Sequence, residues 1–238
     1  MLLSEVNNLN PQASPLTHNT AILATNLAKS VGEGQNTIEI LRDLNLAVIQ
    51  GESVAIVGSS GSGKSTLLGL LAGLDSPTSG SVTVENAPFS ALDEDARAAV
   101  RGQRMGFVFQ SFQLLGTMTA LENVMLPMQL ANRKDAREVA IATLGKVGLA
   151  DRVTHYPKQL SGGEQQRVAI ARAFAPQPAI LFADEPTGNL DIATGERIID
   201  LLFNLNQASK STLILVTHDE KLAQRCSRVL VLNHGQLS

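Results

Sequence analysis

A glycine-rich segment in the first third of the chain constrains the fold more than any other feature. Residues 58–65 read GSSGSGKS and match G-x-x-x-x-G-K-[ST], between an apolar run at residues 54–57 and a helical pattern at residues 64–73. A strand, a loop and a helix in this order let backbone N–H groups and the positive end of the helix approach phosphate oxygens. The segment therefore predicts a phosphate-binding loop in an α/β domain. The candidate phosphate-binding residues are Gly58, Ser59, Ser60, Gly61, Ser62, Gly63, Lys64, Ser65 and Thr66.

Four side chains could supply charge and metal ligands for a bound triphosphate. Lys64 suits the β- and γ-phosphates, and the Ser65 hydroxyl suits Mg²⁺. An apolar run at residues 180–183 ends in Asp184 and Glu185, at the sheet edge where α/β folds bind ligands. We expect Asp184 to hold Mg²⁺ and Glu185 to accept a proton from an attacking water. Taken alone, acids after a strand are more commonly a solvated turn or a helix cap, but the upstream loop favours the functional interpretation.

A second small-residue turn opens another predicted helix. Residues 160–167 read LSGGEQQR, and the apolar residues that follow can pack one face of a helix over residues 162–174. Because free N–H groups at a helix start attract anions, this turn is a second candidate anion site. Two helix starts so far apart in the chain meet at one nucleotide only if they come from two copies of the protein. Without the phosphate loop, a simple N-cap is the alternative.

The chain alternates short β-rich runs with longer helical patterns from about Thr20 onward, which indicates one α/β domain over residues 20–238. Residues 1–19 are interpreted as a flexible tail, and residues 112–157 as a smaller helical subdomain with a break at residues 132–135. Further strands are predicted at residues 105–110, 179–183, 212–217 and 229–232, and residues 80–87 are predicted to form a strand or a hairpin. Further helices are predicted at residues 93–104, 119–148 and 194–205.

Composition narrows the range of functions. The 19 Lys and Arg residues against 22 Asp and Glu leave a net charge of −3, without the basic excess typical of nucleic-acid-binding domains. Aromatic residues make up 3% of the chain, with no Trp and only Tyr156 as tyrosine, which argues against a stacking surface for single strands. Cys226, the only cysteine, is interpreted as a buried apolar residue and agrees with a reducing compartment. No run approaches the roughly 18 to 20 apolar residues of a membrane-spanning helix.

Six motifs occur in the order that is typical of one family. Residues 58–65 resemble a Walker A motif, Gln110 a Q-loop, residues 160–166 a signature motif, residues 180–185 a Walker B motif with its glutamate, residues 189–191 a D-loop and His218 an H-loop. The chain thereby resembles the nucleotide-binding subunit of an ATP-binding-cassette (ABC) transporter over about residues 22–235. The resemblance implies a P-loop NTPase fold of the ABC type, with a mixed β-sheet core and a helical subdomain.

The resemblance also implies roles for these residues. Two copies would dimerise head to tail around two ATP molecules, each held by the Walker A loop of one copy and by Ser161 and Gly163 of the other. Gln110 would contact Mg²⁺ or the attacking water and report to a membrane partner. His218 would hold the γ-phosphate and the geometry of Glu185. The implied catalytic residues are Glu185, His218, Gln110 and Lys64, the implied metal ligands are Ser65, Gln110 and Asp184, and Asp191 is added to the nucleotide-binding residues.

Longer stretches resemble one bacterial branch of this family. Residues 184–191, together with residues 107–115 and 119–127, are similar to the macrolide-exporter and lipoprotein-release branch, in which work from ATP passes through a permease to extracytoplasmic domains. Two positions depart from the family. Val31 stands about where an aromatic residue usually stacks on adenine, which predicts weaker or less adenine-selective binding. Glu164 stands where many members carry glutamine, and we expect its charge near the signature helix start to have a mild effect.

The expected function is ATP hydrolysis by a subunit that drives a separate integral-membrane permease from the cytoplasmic face of the bacterial inner membrane. We expect no nucleic-acid partner. The alternative is a non-transport ABC ATPase that acts on nucleic acid or in cell-envelope or division regulation. A P-loop kinase would leave the LSGGEQQ motif and His218 unexplained. A non-catalytic regulatory binder would not need the carboxylate of Glu185.

Overall fold

A computed structural model describes residues 19–32 and 37–238 of the chain. Its strands are β1 (Thr20–Val31), β2 (Ile38–Ile49), β3 (Ser53–Val57), β4 (Ser79–Val84), β5 (Ala87–Pro88), β6 (Met105–Phe109), β7 (Ile180–Asp184), β8 (Thr212–Val216), β9 (Arg228–Asn233) and β10 (Gln236–Leu237). Its helices are α1 (Lys64–Leu71), α2 (Glu94–Arg104), α3 (Ala120–Leu130), α4 (Ala136–Lys146), α5 (Gly162–Phe174), α6 (Ile192–Ser209) and α7 (Glu220–Ala223), with 3-10 turns at Ala150–Arg152 and Pro157–Gln159. The tail predicted over residues 1–19 lies, apart from Asn19, outside the described residues.

A six-stranded sheet with the order β10-β9-β3-β8-β7-β6 organises the fold. Five of its strands run parallel, and β10 pairs antiparallel with β9, so the sheet is mixed. The inner strands are nearly continuous apolar runs because both faces of the sheet are covered. Strands β3, β6, β7 and β8 end at the same edge of the sheet, where they are followed by the phosphate loop, Gln110, Glu185 and His218 respectively. The topology therefore brings these sequence motifs together.

An antiparallel sheet with the order β2-β1-β4-β5 covers one face of the six-stranded sheet. The β-rich runs expected from about Thr20 have no predicted individual bounds before residue 54, and the structure has two strands there, β1 and β2, of 12 residues each. Register shifts interrupt the pairing of β1 with β2, so inward and outward positions do not alternate strictly along the sequence. Buried residues of these strands, among them Ile22, Leu27 and Leu41, nevertheless share one apolar cluster with α1 and the central sheet.

Helices α3, α4 and α5 form a second packing unit. The break predicted at residues 132–135 separates α3 from α4. Met128 and Leu144 of these two helices are buried against Val168 of α5 in an apolar cluster of their own. Because α5 also contributes Ile170 to the cluster beneath the six-stranded sheet, this one helix belongs to both packing units.

Capping side chains explain several other boundaries. Asp93 caps α2 by accepting a hydrogen bond from the N–H of Ala96, in agreement with the helix predicted at residues 93–104. Asp191 caps α6, which begins before and ends after the predicted residues 194–205. Cys226 is buried, as expected. In the part of the chain that the structure describes, no helix is long and apolar enough to cross a membrane.

Candidate functional site

The loop between β3 and α1 has the backbone geometry of a phosphate cradle. Gly61 and Gly63 have φ angles of 78° and 99°, which residues with side chains rarely adopt. A Cβ atom at Gly58 would approach the carbonyl oxygen of Leu232 to 2.3 Å. No side chain caps the first turn of α1, so its N–H groups are available to an anion. The glycines of the motif are therefore required by the conformation of the loop.

Two side chains inside the loop fit a phosphate ligand. Lys64 is 9% exposed, and its ammonium donates hydrogen bonds to the carbonyl oxygens of Gly58 and Ser59 at 2.8 Å each. The Ser62 hydroxyl is buried and has no hydrogen-bond partner within residues 19–32 and 37–238. A buried hydroxyl without a partner is unfavourable, and a phosphate oxygen would give it one. The loop thus fits the triphosphate expected from the sequence.

A hydroxyl and a carboxylate lie together beside the loop. Ser65 Oγ is 3.4 Å from Asp184 Oδ1. Burial raises the pKa of Asp184, and the adjacent charge of Glu185 raises it as well. A divalent cation would offset this concentration of negative charge, and hydroxyl and carboxylate oxygens are ligands that Mg²⁺ accepts. Ser65 and Asp184 therefore fit a metal ion at this position.

Glu185 and His218 form a pair at the carboxyl edge of the sheet. His218 Nδ1 lies 2.9 Å from Glu185 Oε1, and because a carboxylate only accepts, the hydrogen lies on Nδ1. Thr217 Oγ1 lies 3.4 Å from the other carboxylate oxygen. The backbone of Glu185 has a φ of 46°, and its N–H donates to the carbonyl of Val216. Residues at the end of β8 therefore orient the carboxylate; of these, sequence analysis had identified His218 but not Thr217.

Gln110 pairs with Asn189 across the same edge. Gln110 Nε2 donates to Asn189 Oδ1 at 3.3 Å, and Asn189 Nδ2 donates to the Gln110 carbonyl at 3.0 Å. Gly188 leaves room for the pair, because a Cβ atom there would lie 2.6 Å from Gln110 Nε2. The Q-loop and D-loop positions are thus joined, and the Gln110 amide bonds to Asn189 and not to Ser65 or Asp184.

The second glycine-rich helix start, at α5, carries its own cap. Ser161 Oγ accepts from the N–H of Glu164 at 3.3 Å, and the Glu164 carboxylate accepts from the N–H and the hydroxyl of Ser161 at 2.9 and 2.8 Å. These bonds, and more weakly Arg152 at 3.3 Å, lower the pKa of Glu164. A Cβ atom at Gly163 would lie 2.6 Å from Thr194 Cγ2. Within the protomer, Ser161 and Gly163 therefore contact Glu164 and α6.

The predicted nucleotide-binding residues Val31 and Asp191 lie at the end of β1 and at the start of α6, respectively. Val31 ends β1, pairs with Ile38 and is 43% exposed; residues 33–36 between the two strands lie outside the described residues. Asp191 accepts from the N–H of Thr194 as the cap of α6, and this bond lowers its pKa. Val31 is thus accessible to a ligand, whereas the Asp191 carboxylate is engaged at a helix start.

Two polar residues of α5 were not identified from the sequence. Gln166 is fully buried, and its Nε2 donates to the carbonyl of Pro186 at 2.6 Å, directly after Glu185. Arg172 donates to the carbonyls of residues 112–113, shortly after the Q-loop position. Both lie among buried apolar residues of α5. A polar side chain on such a face is the signal that could have identified them, because it must find a hydrogen-bond partner inside the protein.

Known proteins are similar to this chain over most of its length. The family described as "ABC transporter" matches residues 41–188. The "Uncharacterized ABC transporter ATP-binding protein YbbA" of Escherichia coli (strain K12) is 56% identical over 213 residues, which cover 89% of this chain and 93% of that protein. The "Lipoprotein-releasing system ATP-binding protein LolD" of Legionella pneumophila (strain Lens) is 52% identical over 213 residues, which cover 89% of this chain and 94% of that protein. Among solved structures, the ATP-binding cassette MJ0796, in a dimeric post-hydrolysis state bound to ADP and Pi, is similar with a TM-score of 0.84 and 42% identity, covering 91% of this chain and 96% of that chain.

Proposed function

Because the chain belongs to the ABC transporter family and is an ATP-binding, ATP-hydrolysing subunit of such a transporter, we propose that two copies dimerise head to tail and hydrolyse two ATP molecules between them. In this proposal, each ATP is held by residues 58–66 of one copy and by Ser161 and Gly163 of the other. Val31 contacts the adenine, and Asp191 lies at the interface between the copies. The Mg²⁺ ligands are Ser65, Gln110 and Asp184.

The Glu185–His218 pair carries the hydrolytic part of this proposal. Glu185 follows β7 at the same sheet edge as the phosphate loop, where it can accept a proton from a water that attacks the γ-phosphate in line. His218 holds the carboxylate through its Nδ1–H. Lys64 stabilises the charge that develops on the transferred phosphoryl group. Ser65, Gln110 and Asp184 would hold Mg²⁺, which when bound would neutralise further charge on the phosphate oxygens.

The start of α5 supports the arrangement of two copies. Within one protomer, the hydroxyl of Ser161 bonds to Glu164, and Gly163 lies against α6. The hydrogen bonds of Ser161 do not reach residues 58–66 of the same protomer, and in this proposal a second copy supplies Ser161 and Gly163 to each ATP. The dimeric state of MJ0796 with ADP and Pi supports the same assembly. A two-fold interface of this kind uses each surface twice, so one protomer surface supplies the phosphate loop and another supplies the helix start.

Replacement of Glu185 tests the hydrolytic mechanism. Glu185→Gln keeps the size of the side chain and a hydrogen-bonding group for His218, but it removes the proton acceptor. We expect kcat for ATP hydrolysis to fall by roughly 10²- to 10⁴-fold, while ATP still binds and the ATP-bound dimer accumulates. Phosphate release, nucleotide binding and light scattering measure these three quantities. Glu138→Gln, at an exposed position of α4, is the matched control and retains wild-type turnover. Wild-type turnover by Glu185→Gln would contradict the role of Glu185.

The partner of this dimer is a separate integral-membrane permease, at which the chain acts from the cytoplasmic face of the bacterial inner membrane. The similarity to LolD, a protein named for a lipoprotein-releasing system, supports this placement. A tagged Glu185→Gln protein with ATP should recover a multi-span permease from detergent-solubilised membranes, as identified by mass spectrometry. Recovery of soluble or nucleic-acid partners alone, with ATP binding intact, would favour the non-transport ABC ATPase instead.

A further inference from the structure

The segment that follows Gln110 has an unfavourable backbone conformation. Phe112 and Gln113 are consecutive residues with side chains, and their φ angles are 59° and 48°. This left-handed region favours glycine, and other residues remain there only where their surroundings hold them. Other groups of the protein must therefore hold residues 112–113 in this conformation. The conformation of these residues determines the path of the chain directly after Gln110.

Arg172 of α5 supplies such a restraint. Its Nη1 donates to the carbonyl of Gln113 at 2.6 Å, and its Nη2 donates to the carbonyl of Phe112 at 2.9 Å. The side chain is half-buried, which lowers the pKa of Arg172, and the described ranges contain no ion-pair partner for it. A half-buried guanidinium without a carboxylate relies on the carbonyl oxygens that it bonds, so the same two bonds hold both groups in place.

The loop is thus anchored on two sides. At Gln110 it is joined to Asn189 by two hydrogen bonds, and at residues 112–113 it is joined to Arg172. Because α5 packs against both the central sheet and helices α3 and α4, Arg172 fixes the loop relative to both packing units. The planar guanidinium, with its fork of donors, matches two adjacent carbonyls in a way that a lysine ammonium does not.

We propose that Arg172 is a positioning residue for ATP hydrolysis: its two hydrogen bonds hold residues 112–113 in the left-handed conformation and thereby fix the position of Gln110, which follows β6 at the carboxyl edge of the sheet. This inference rests on the proposed role of Gln110 at Mg²⁺ or the attacking water. Arg172 acts on the reaction only through Gln110. Its replacement therefore affects the rate of hydrolysis and leaves the affinity for ATP, which depends on the phosphate loop, almost unchanged.

A double-mutant cycle tests this dependence. Arg172→Lys keeps the charge and loses the paired geometry, and we expect kcat to fall about tenfold with KM for ATP within about twofold of wild type. Because Arg172 acts through Gln110, the double variant Gln110→Ala/Arg172→Lys should be no slower than Gln110→Ala alone. A merely structural role for Arg172 would slow the double variant by the product of the two single effects. Steady-state phosphate release by the full chain provides all four rates.

Control variants distinguish a failure of the inference about Arg172 from a failure of the proposed role of Gln110. Arg137→Gln, at an exposed position of α4, should retain wild-type kcat. Arg172→Gln keeps one amide donor without a charge to bury, and it replaces Arg172→Lys in the cycle if the lysine variant does not fold. Wild-type kcat in the Arg172 variant, or multiplicative effects in the cycle, would overturn the inference and leave the proposed function intact. Wild-type kcat in Gln110→Ala would remove the proposed role of Gln110, and the inference with it.

Discussion

The two glycine-rich helix starts of this protein look alike in sequence and differ in chemistry. Helix α1 begins after Gly63, which has no side chain to cap the helix, and its first turn contains no acidic residue. Helix α5 begins after Ser161, which forms a reciprocal capping box with Glu164 in the first turn. A free helix start attracts anions, whereas the capping box at α5 already satisfies two of the donors there, the N–H groups of Ser161 and Glu164.

The uncapped start of α1 and the capped start of α5 are therefore suited to different kinds of phosphate contact. The start of α1 is organised for a ligand within the protomer, since its N–H groups and Lys64 lie in one loop. The start of α5 is capped within the protomer and exposed at Ser161, where, in the proposed dimer, a second copy would bring a nucleotide to it. We expect the first site to determine nucleotide affinity and the second to determine association between copies.

Removal of the ammonium of Lys64 should produce the largest effect. Lys64→Ala removes the charged donor of the α1 site, and hydrogen bonds to charged groups contribute about 1.5 to 3 kcal/mol each. With two phosphates contacted, we expect the Kd for ATP to rise by roughly 100-fold or more. Isothermal titration with ATP measures this change, and Lys146→Ala at the end of α4 is the control. An unchanged Kd would contradict the assignment of nucleotide affinity to this helix start.

Removal of the Ser161 hydroxyl should affect association and not affinity. In a Glu185→Gln background, Ser161→Ala is expected to weaken ATP-dependent dimerisation by about tenfold or more, with the Kd of the monomer for ATP unchanged. Loss of the cap should also lower the free energy of unfolding by about 1 kcal/mol. Thr119→Ala is the matched control, because Thr119 forms the same capping box with Glu122 at the start of α3. The comparison fails if both variants dimerise equally well, as sedimentation velocity would reveal.

An aromatic residue in place of Val31 should increase the affinity for ATP by stacking on the adenine, at the opposite end of the nucleotide from the phosphate loop. Val31→Tyr is expected to tighten ATP binding by about tenfold, because stacking on a base contributes roughly 1 to 3 kcal/mol. Leu23→Tyr, at an exposed position near the other end of β1, is the control and should leave the Kd unchanged. Competition titrations with ATP and GTP measure both affinity and base preference. If neither tyrosine changes affinity, adenine does not lie at Val31.

The charge of Glu164 should have the smallest effect. Its pKa is lowered in the folded protein, first by the N–H of Ser161 and then by the Ser161 hydroxyl. A lowered pKa stabilises the fold above the unfolded value of about 4.3, and this stability is lost as the pH falls through the folded value. Glu164→Gln should thus lower the free energy of unfolding at pH 7 by about 0.5 kcal/mol, and the difference should vanish in acid below the folded pKa. Urea unfolding of both proteins across pH 2 to 7 measures it; a difference that grows in acid would contradict this account.

The phosphate loop and the strands around it could be predicted because each is encoded by a short, continuous stretch of sequence. Four of the parallel strands are short apolar runs, and each is followed, directly or after one residue, by a predicted site residue at the sheet edge. The ABC-type P-loop fold and the family were predicted from these motifs, and both are confirmed. The roles of Ser161 and Val31 stay predictions, because they concern a second copy and a bound base.

The bounds of strands β1 and β2 and the long-range hydrogen bonds of α5 could not be predicted, because no short sequence pattern encodes them. Strands β1 and β2 pair with repeated register shifts, so the alternation that predicts a half-buried strand is broken. The hydrogen bonds of α5 reach across the fold: Gln166 bonds a carbonyl 20 residues later, and Arg172 bonds carbonyls about 60 residues earlier. Sequence patterns identify a polar residue on an apolar helix face, but only the tertiary structure identifies which carbonyl it bonds.

Because the only cysteine is buried, a second cysteine introduced at the surface can be labelled selectively. Cys226 is 9% exposed, and burial raises the pKa of its thiol to about 11. Near neutral pH the thiol therefore stays protonated, and because it is also buried, maleimide reagents should hardly modify the natural chain. A single exchange such as Ile192→Cys, at a position that is 84% exposed, would therefore accept a fluorophore selectively. Energy transfer between labelled copies could then follow their approach in real time without altering any other residue.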